Sequence, residues 1–286
     1  MTGDEPMDAI GQALEQAYEA YEAGDHGRAG ALLAATAPLL PDGFAKPLWF
    51  DAALCALLQR DWPLAVERGR EAVRFVERGT GEPAYWNLGT AATALRDWAL
   101  ARDCWEGFGM PPLPGEGPID TDGGPACVRL SVGEVVWVTR LDPVRGKVQN
   151  VPFDPSRRYG EVVLHGGAPS GERIMGGVGY PVFDEIELFE PSDLATLAVV
   201  VSAPDPDDLE ALALRFAERG YGMEILSSRV DRCACCSAGS HVSDRGRFAG
   251  EQQLFVAAPE PAARDLLDTW ARDRPDARQW ADLHPA

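Results

Sequence analysis

Lysine is nearly absent from this chain: only Lys46 and Lys147 occur in 286 residues, and 26 basic against 45 acidic side chains leave a net charge of -19. A surface this acidic repels phosphate backbones and anionic lipid headgroups, so nucleic acid and charged membranes are excluded as partners recruited by charge. A basic protein partner suits the field, although solubility alone also accounts for it. Long apolar runs are missing too. No stretch approaches the ~18 residues of a membrane span, and no charged-then-apolar N-terminal segment precedes a cleavage site. The expected location is therefore the cytoplasm. The six cysteines are too few for a disulfide scaffold at this length. Cys55 and Cys104 fall on helical patterns, where a thiol acts as a small hydrophobe, and they are expected to be free and reduced. The abundance of Ala, Gly, Arg and Pro points to a GC-rich bacterial genome.

What is present is a repeat. Asp25-His26 with Ala29, Asp61-Trp62 with Ala65, and Asp97-Trp98 with Ala101 recur at a spacing of 36 residues. Ala17, Ala53 and Gly89 keep one small-residue slot in step, and Ala20, Ala56 and Ala92 keep another. A fixed period of this size means stacked helical hairpins. The third copy reads Tyr85-x-x-Leu88-Gly89-x-x-Ala92, then Ala101-x-x-x-Trp105. This resembles the tetratricopeptide signature, aromatic-x-x-Leu-Gly followed by Ala-x-x-x-aromatic, over about residues 8–109. The resemblance implies a binding scaffold. It also implies a concave groove lined by the first helix of each repeat, with rows Leu14, Phe50 and Trp86; Tyr18, Leu54 and Thr90; and Tyr21, Leu57 and Thr93. Tetratricopeptide members that clamp a terminal carboxylate place Lys, Arg and Asn in such rows. The apolar and aromatic rows here suit an apolar helix or extended segment instead. An alternative occupant is the chain's own C-terminal half.

The organisation expected is multidomain α plus β. Residues 1–109 form the helical repeats, with helices over 8–23, 48–58, 63–76, 83–95 and 99–108 among them. Residues 110–126, rich in Pro and Gly, make a linker. Over 127–192 the period changes to two, and short strands at 134–141, 147–152, 161–164 and 185–189 predict a small antiparallel barrel or meander. Gly133-Glu-Val-Val-Trp-Val138 resembles the opening strand of SH3-like or Tudor-like barrels over those few residues. Residues 193–286 follow a β-α-β-β-α order close to a ferredoxin-like α+β sandwich. No final strand is legible there, and 277–283 reads as a helix-like piece.

The one dense group of reactive side chains is Cys233-Ala-Cys235-Cys236-Ser-Ala-Gly-Ser-His241. Cys233-x-x-Cys236-x4-His241 resembles the start of a zinc knuckle, but the position of its fourth ligand holds Gly246. Closure would need Cys235, Asp244 or another chain, since a structural zinc takes four ligands. Zinc or copper(I) binding, thiol redox chemistry favoured by Arg232 and Arg245, and an incidental loop with exposed thiols all fit these residues. Other motifs dissolve. Gly176-Gly-Val-Gly-Tyr180 lacks the Lys-Ser/Thr of a phosphate loop and reads as a hairpin turn. Gly167-Ala-Pro-Ser170-Gly171 is no nucleophile elbow. His165 reads as filler in a strand, and adjacent Asp184 and Glu185 point to opposite faces of theirs.

These residues predict a non-catalytic bacterial protein-interaction factor: an immunity protein that neutralises a toxin, or an adaptor or client-holding chaperone. The alternatives are a metal-dependent or thiol-based sensor or enzyme centred on Cys233, Cys235, Cys236 and His241, and a small-molecule sensor built on the ferredoxin-like part. Metal analysis of protein purified without added metal separates the zinc version: about one equivalent is expected of a structural site, and less than about a tenth argues against one.

Overall fold

The computed structural model describes residues 5–226 and 250–286. They form eight α-helices and ten strands in a mixed α/β architecture. The chain divides into two compact units, Met1–Ile119 and Asp120–Ala286.

The first unit contains three successive helix pairs: α1 (Glu5–Glu22) with α2 (His26–Thr36), α3 (Asp42–Leu58) with α4 (Trp62–Val73), and α5 (Pro83–Ala94) with α6 (Trp98–Phe108). The 36-residue period is a period of helix ends. Asp25, Asp61 and Asp97 are the N-caps of α2, α4 and α6, each carboxylate accepting a bond from the amide three residues on, Arg28, Leu64 and Leu100, at 3.1, 3.2 and 3.1 Å. The same residues terminate the preceding helix. Their amides donate back to the carbonyls of Ala20, Ala56 and Ala92 at 2.8, 3.0 and 2.9 Å, the long bond of a Schellman motif. That motif requires a left-handed residue just before the Asp. The first copy supplies Gly24 at φ 78°, whereas the later two strain Arg60 and Arg96 into the region at φ 58° and 59°.

Small residues then let the helices close. Ala29, Ala65 and Ala101 are buried. In the third copy the aromatics need more room: a Cβ on Gly89 would stand 2.8 Å from the Trp105 ring, and one on Gly107 would stand 2.6 Å from Tyr85. Helix α3 starts at Asp42, six residues earlier than the apolar pattern suggests, and carries Pro47 inside it. The unit ends at Ile119, inside the expected linker rather than at residue 109. Residues after α6 fold back onto it: the Arg102 guanidinium donates to the carbonyls of Leu113 and Pro114, each at 3.2 Å, and Ile119 is buried. A three-pair stack thereby gains a cap from a segment of little regular structure.

In the second unit, strands β1 (Pro125–Arg129), β2 (Val135–Arg140), β3 (Arg145–Val148), β4 (Val162–His165) and β6 (Val178–Glu190) close a five-stranded barrel. β5 (Gly171–Met175) pairs with the first half of β6, outside the ring. Neighbours around the ring are antiparallel except for β1 and β6. With an odd number of alternating strands, one closing pair must be parallel, so the expected all-antiparallel barrel is corrected on that point. Val128, Val136, Val138, Val163 and Phe183 fill the interior.

The connection from β3 to β4 is pinned by charge. Glu134 accepts from the amides of Phe153 and Asp154, and Arg157 lies buried between Glu161 at 2.9 Å and Glu185 at 2.7 Å. Burial pushes the Glu161 carboxyl up against the pull of Arg157. Glu185 is also desolvated, but bonds from Arg157 and the Ser131 amide outweigh that and hold its carboxyl below the usual range. Asp184, its neighbour, faces outward to Arg129 at 2.7 Å, so the two acids do point apart. Gly176 and Gly177, both at positive φ, make the two-residue turn from β5 to β6.

The remaining elements are β7 (Thr196–Ser202), α7 (Pro206–Glu218), β8 (Gly222–Ile225), β9 (Glu251–Ala257), α8 (Glu260–Asp273) and β10 (Gln279–Pro285). The sheet order is β10-β7-β9-β8, antiparallel throughout. α7 and α8 share one core with it, built on Leu197, Val199, Val201, Phe216, Leu254, Val256 and Trp270. Asp208 on α7 ties these helices to the chain end: its carboxylate accepts from Arg274 and Arg278 and its carbonyl from the Trp270 indole. Phe255 on the sheet meets Phe153 of the barrel loop at 6.3 Å between ring centres, and a side chain at Gly222 would strike Tyr159. β10 corrects the expectation of a helix-like end. A bulge between Ala281 and His284, with Asp282 at φ 57°, lets Trp280 and Leu283 both reach the core although they are three residues apart, which hides the period of two.

Relieving the strained turns should stabilise the first unit. Arg60→Gly and Arg96→Gly are each expected to add about 0.5–1 kcal/mol, the left-handed penalty less the entropy of glycine. Asp61→Ala should cost about 1 kcal/mol. Urea unfolding followed by helical circular dichroism reads all three, as shifts of midpoint at unchanged slope.

Candidate functional site

Helix α3 carries the features of a binding face. Phe44, Pro47 and Phe50 follow one another at intervals of three, so they run along one side of the helix. Phe44 is 67% exposed. Pro47 and Phe50 wall a recess of ≈ 280 Å³ whose other sides are Ala72 and Val76, at and beyond the end of α4, and Pro83 and Ala84, at the start of α5. Lys46 and Glu82 sit at its rim, paired at 3.3 Å. The repeat builds this geometry: Lys46 and Glu82 occupy one slot of the 36-residue period, and Pro47 and Pro83 occupy the next. Equivalent positions on adjacent hairpins lie side by side, so the recess has the same residue type on two of its walls.

The expected groove residues are distributed unevenly around it. Phe50 lines the recess. Tyr18 is 42% exposed and donates its hydroxyl to Asp51 at 3.0 Å. Partial burial, then the Asp51 carboxylate, push the Tyr18 phenol up to about 12. Burial also raises the Asp51 carboxyl, against the Tyr18 bond that lowers it. Leu14 and Tyr21 pack against the core between the first two pairs, Tyr21 with its ring 5.1 Å from His26. Leu54 and Leu57 are half-buried. Trp86 turns to its own hairpin, edge-on to Trp105 at 5.3 Å and to Phe108 at 5.0 Å. Thr90 and Thr93 are buried, Thr90 donating to the Trp86 carbonyl. The structure thus brings Phe50 together with Lys46, Pro47, Glu82 and Pro83, which the groove rows omit. The 36-residue pairing of these last four is the signal that finds them.

The recess has apolar walls and one ion pair at its edge, with no His, Cys or hydroxyl side chain among the described residues lining it. Such walls are suited to an apolar group, with the ion pair placed to orient it. It supplies no nucleophile of the thiol or hydroxyl kind.

The proposed metal ligands Cys233, Cys235, Cys236 and His241 lie outside the described residues. Among the described residues, no group of three or more His, Cys, Asp or Glu is placed to hold a metal ion. Cys55, Cys104 and Cys127 are buried and form no disulfide. Burial pushes the Cys104 thiol up to about 12, which keeps it protonated and unreactive at neutral pH. No helix among the described residues is long and apolar enough to cross a membrane. Compared with known proteins, the chain matches no family model and no curated protein.

His165 is fully buried in the barrel, stacked on Phe183 at 4.6 Å, with Nδ1 2.8 Å from the Gly166 carbonyl. Burial first, with Arg140 adding to it, lowers its pKa from 6.5 to about 4, so the folded barrel holds it neutral. A depressed histidine stabilises the fold fully above the unfolded value and loses that contribution as the pH falls toward the folded value. Between those limits His165 should take away about 3 kcal/mol. His165→Gln is expected to flatten that part of the pH dependence. Denaturant unfolding of both proteins at pH 7 and pH 4 measures the difference.

Proposed function

We propose that this chain is a non-catalytic protein-interaction factor. Its helical unit, read as a tetratricopeptide-like array, receives an apolar segment of a partner protein against Phe44, Pro47 and Phe50. The single observation that carries this reading is the apolar recess at Phe50, rimmed by the Lys46–Glu82 pair. Aromatic anchors beside a recess are the residue types that dominate interface energies, and an ion pair at the rim sets orientation more than affinity. The net charge of -19 favours a partner that is basic around its apolar segment. The second unit, a barrel joined to a sandwich of ferredoxin-like order, serves in this reading as the body that carries the array. A cytoplasmic immunity protein bound to its toxin and an adaptor bound to its client are the two forms such a factor takes.

Three sets of buried ionisable groups also favour a binding role over chemistry. Asp142 with Arg145, Arg157 with Glu161 and Glu185, and Asp208 with Arg274 and Arg278 are bound to one another in structural pairs.

Affinity capture from the native cytoplasm identifies the partner, and binary titration then tests the site. Phe50→Ala and Phe44→Ala should each weaken binding at least about tenfold, the 1.4 kcal/mol or more expected of an anchor. Because Phe44 is exposed, its variant should keep the wild-type melting temperature. Undiminished binding in both variants overturns the proposal.

A further inference from the structure

Among the described residues, buried arginines are answered by oxygen with one exception. Asp142 takes Arg145 at 2.6 Å, Glu161 and Glu185 take Arg157, the Ala52 carbonyl takes Arg68 at 3.1 Å, and main-chain carbonyls take Arg102. Arg173 on β5 is the exception. It is only 9% exposed, yet among the described residues no oxygen accepts from it. Its Nη1 lies 3.9 Å from the Cys127 sulfur, and its Cζ stands 4.7 Å from the centre of the Trp137 ring.

No Arg173 nitrogen is both sealed from solvent and without a partner, so the donors turned away from Cys127 open to the surface with no protein oxygen among the described residues to take them. A thiol sulfur is a weak acceptor, and the guanidinium has five N–H donors. Strand register explains the placement. Cys127 lies opposite Trp137 and Val182, and Arg173 lies opposite Tyr180, so Cys127, Trp137, Arg173 and Tyr180 share the outer face of the barrel wall. Trp137 and Tyr180 meet edge to face, 4.9 Å between centres at 83°. With Cζ over the Trp137 ring and Nη1 toward Cys127, the remaining N–H edge of the guanidinium is the side from which a planar acceptor can approach without displacing the ring.

We infer that Arg173, walled by Trp137 and Tyr180, is a binding site for a single carboxylate carried next to an apolar group. One guanidinium matches one negative charge. The neighbouring cation, Arg129, is already taken by Asp184 at 2.7 Å, and a chain of net charge -19 disfavours a phosphate dianion. The apolar part of the ligand follows from Met175 and Val178, which pair across the β5–β6 turn on the same face as Arg173 and are exposed. The carboxylate is supplied either by a free small acid or by the C-terminus of a peptide. This site lies in the second unit and stands or falls independently of the Phe50 recess.

Nuclear magnetic resonance titration of the full chain tests it, reading the Arg173 Nε–H signal, identified by its loss in Arg173→Lys, and the Trp137 indole N–H. The probes are N-acetylleucine, N-acetylleucinamide, inorganic phosphate, and a pentapeptide ending in leucine with a free carboxylate. N-acetylleucine should shift both signals saturably, the amide should not, and phosphate should bind at least about tenfold more weakly. The Trp137 shift should weaken about tenfold in Arg173→Lys, which keeps the charge without the planar fork, and vanish in Arg173→Gln. If Arg173→Gln does not fold, the Lys variant and the acid-amide contrast still decide. A peptide about tenfold tighter than N-acetylleucine assigns the site to chain termini, and equal affinity assigns it to small acids. No saturable shift with either carboxylate up to about 50 mM, an equal response to the amide, or tighter binding of phosphate overturns the inference.

Discussion

The second unit depends on one buried cation. The Arg157 guanidinium joins Glu161, at the end of its own loop, to Glu185 on β6. That loop is the long connection between β3 and β4, and the same clamp presents Phe153 to Phe255 and Tyr159 to the glycine at the start of β8. Two acids and one base in a dry site carry one excess negative charge, and the Ser131 amide answers it by donating to Glu185. The triad therefore holds more than a loop. Removing Arg157 would leave two carboxylates buried without a cation, the kind of loss that costs about 3–5 kcal/mol. The barrel wall, the loop and the open face of the sheet would loosen together.

The first unit depends on repetition instead. Each aspartate in the 36-residue series closes one helix and opens the next, so a single side chain position sets both the length of the first helix and the direction of the second. This is why the helices are legible from the sequence to within a few residues at most ends: caps are local, and their spacing is exact from copy to copy. Helix α3 is the exception because Pro47 lies inside it, and a proline after an apolar gap reads as a boundary. The strands are legible where one face is buried and the other is not, as in β2. β1 hides in the Pro- and Gly-rich stretch, β5 reads Gly-Glu-Arg-Ile-Met with no alternation, and β10 loses its alternation at a bulge.

The candidate site is legible only in part for a related reason. Motif rows locate residues on a helix but not the depth to which the next hairpin covers them. Trp86 occupies the same row as Phe50, yet it leans on Trp105 and Phe108 of its own hairpin. The recess instead arises from four residues whose significance is relational: Lys46 matters because Glu82 stands one period later, and Pro47 because Pro83 does. Arg173 illustrates the limit further. Nothing adjacent in sequence marks it, since its neighbours Trp137, Tyr180 and Cys127 are assembled by pairing across three strands.

The bulge in β10 has a consequence for how these molecules meet one another. Among the described residues β10 is an outer strand of its sheet, and an outer strand carries a row of backbone groups that could template pairing with another chain. At Asp282 the backbone swings to φ 57°, the ladder slips out of register, and a carboxylate stands at the kink; three residues later Pro285 removes a donor. A straight strand of the same length would invite edge-to-edge growth. This one offers an incoming strand a broken ruler, so the feature that obscures β10 in the sequence also guards the protein against sheet-driven aggregation.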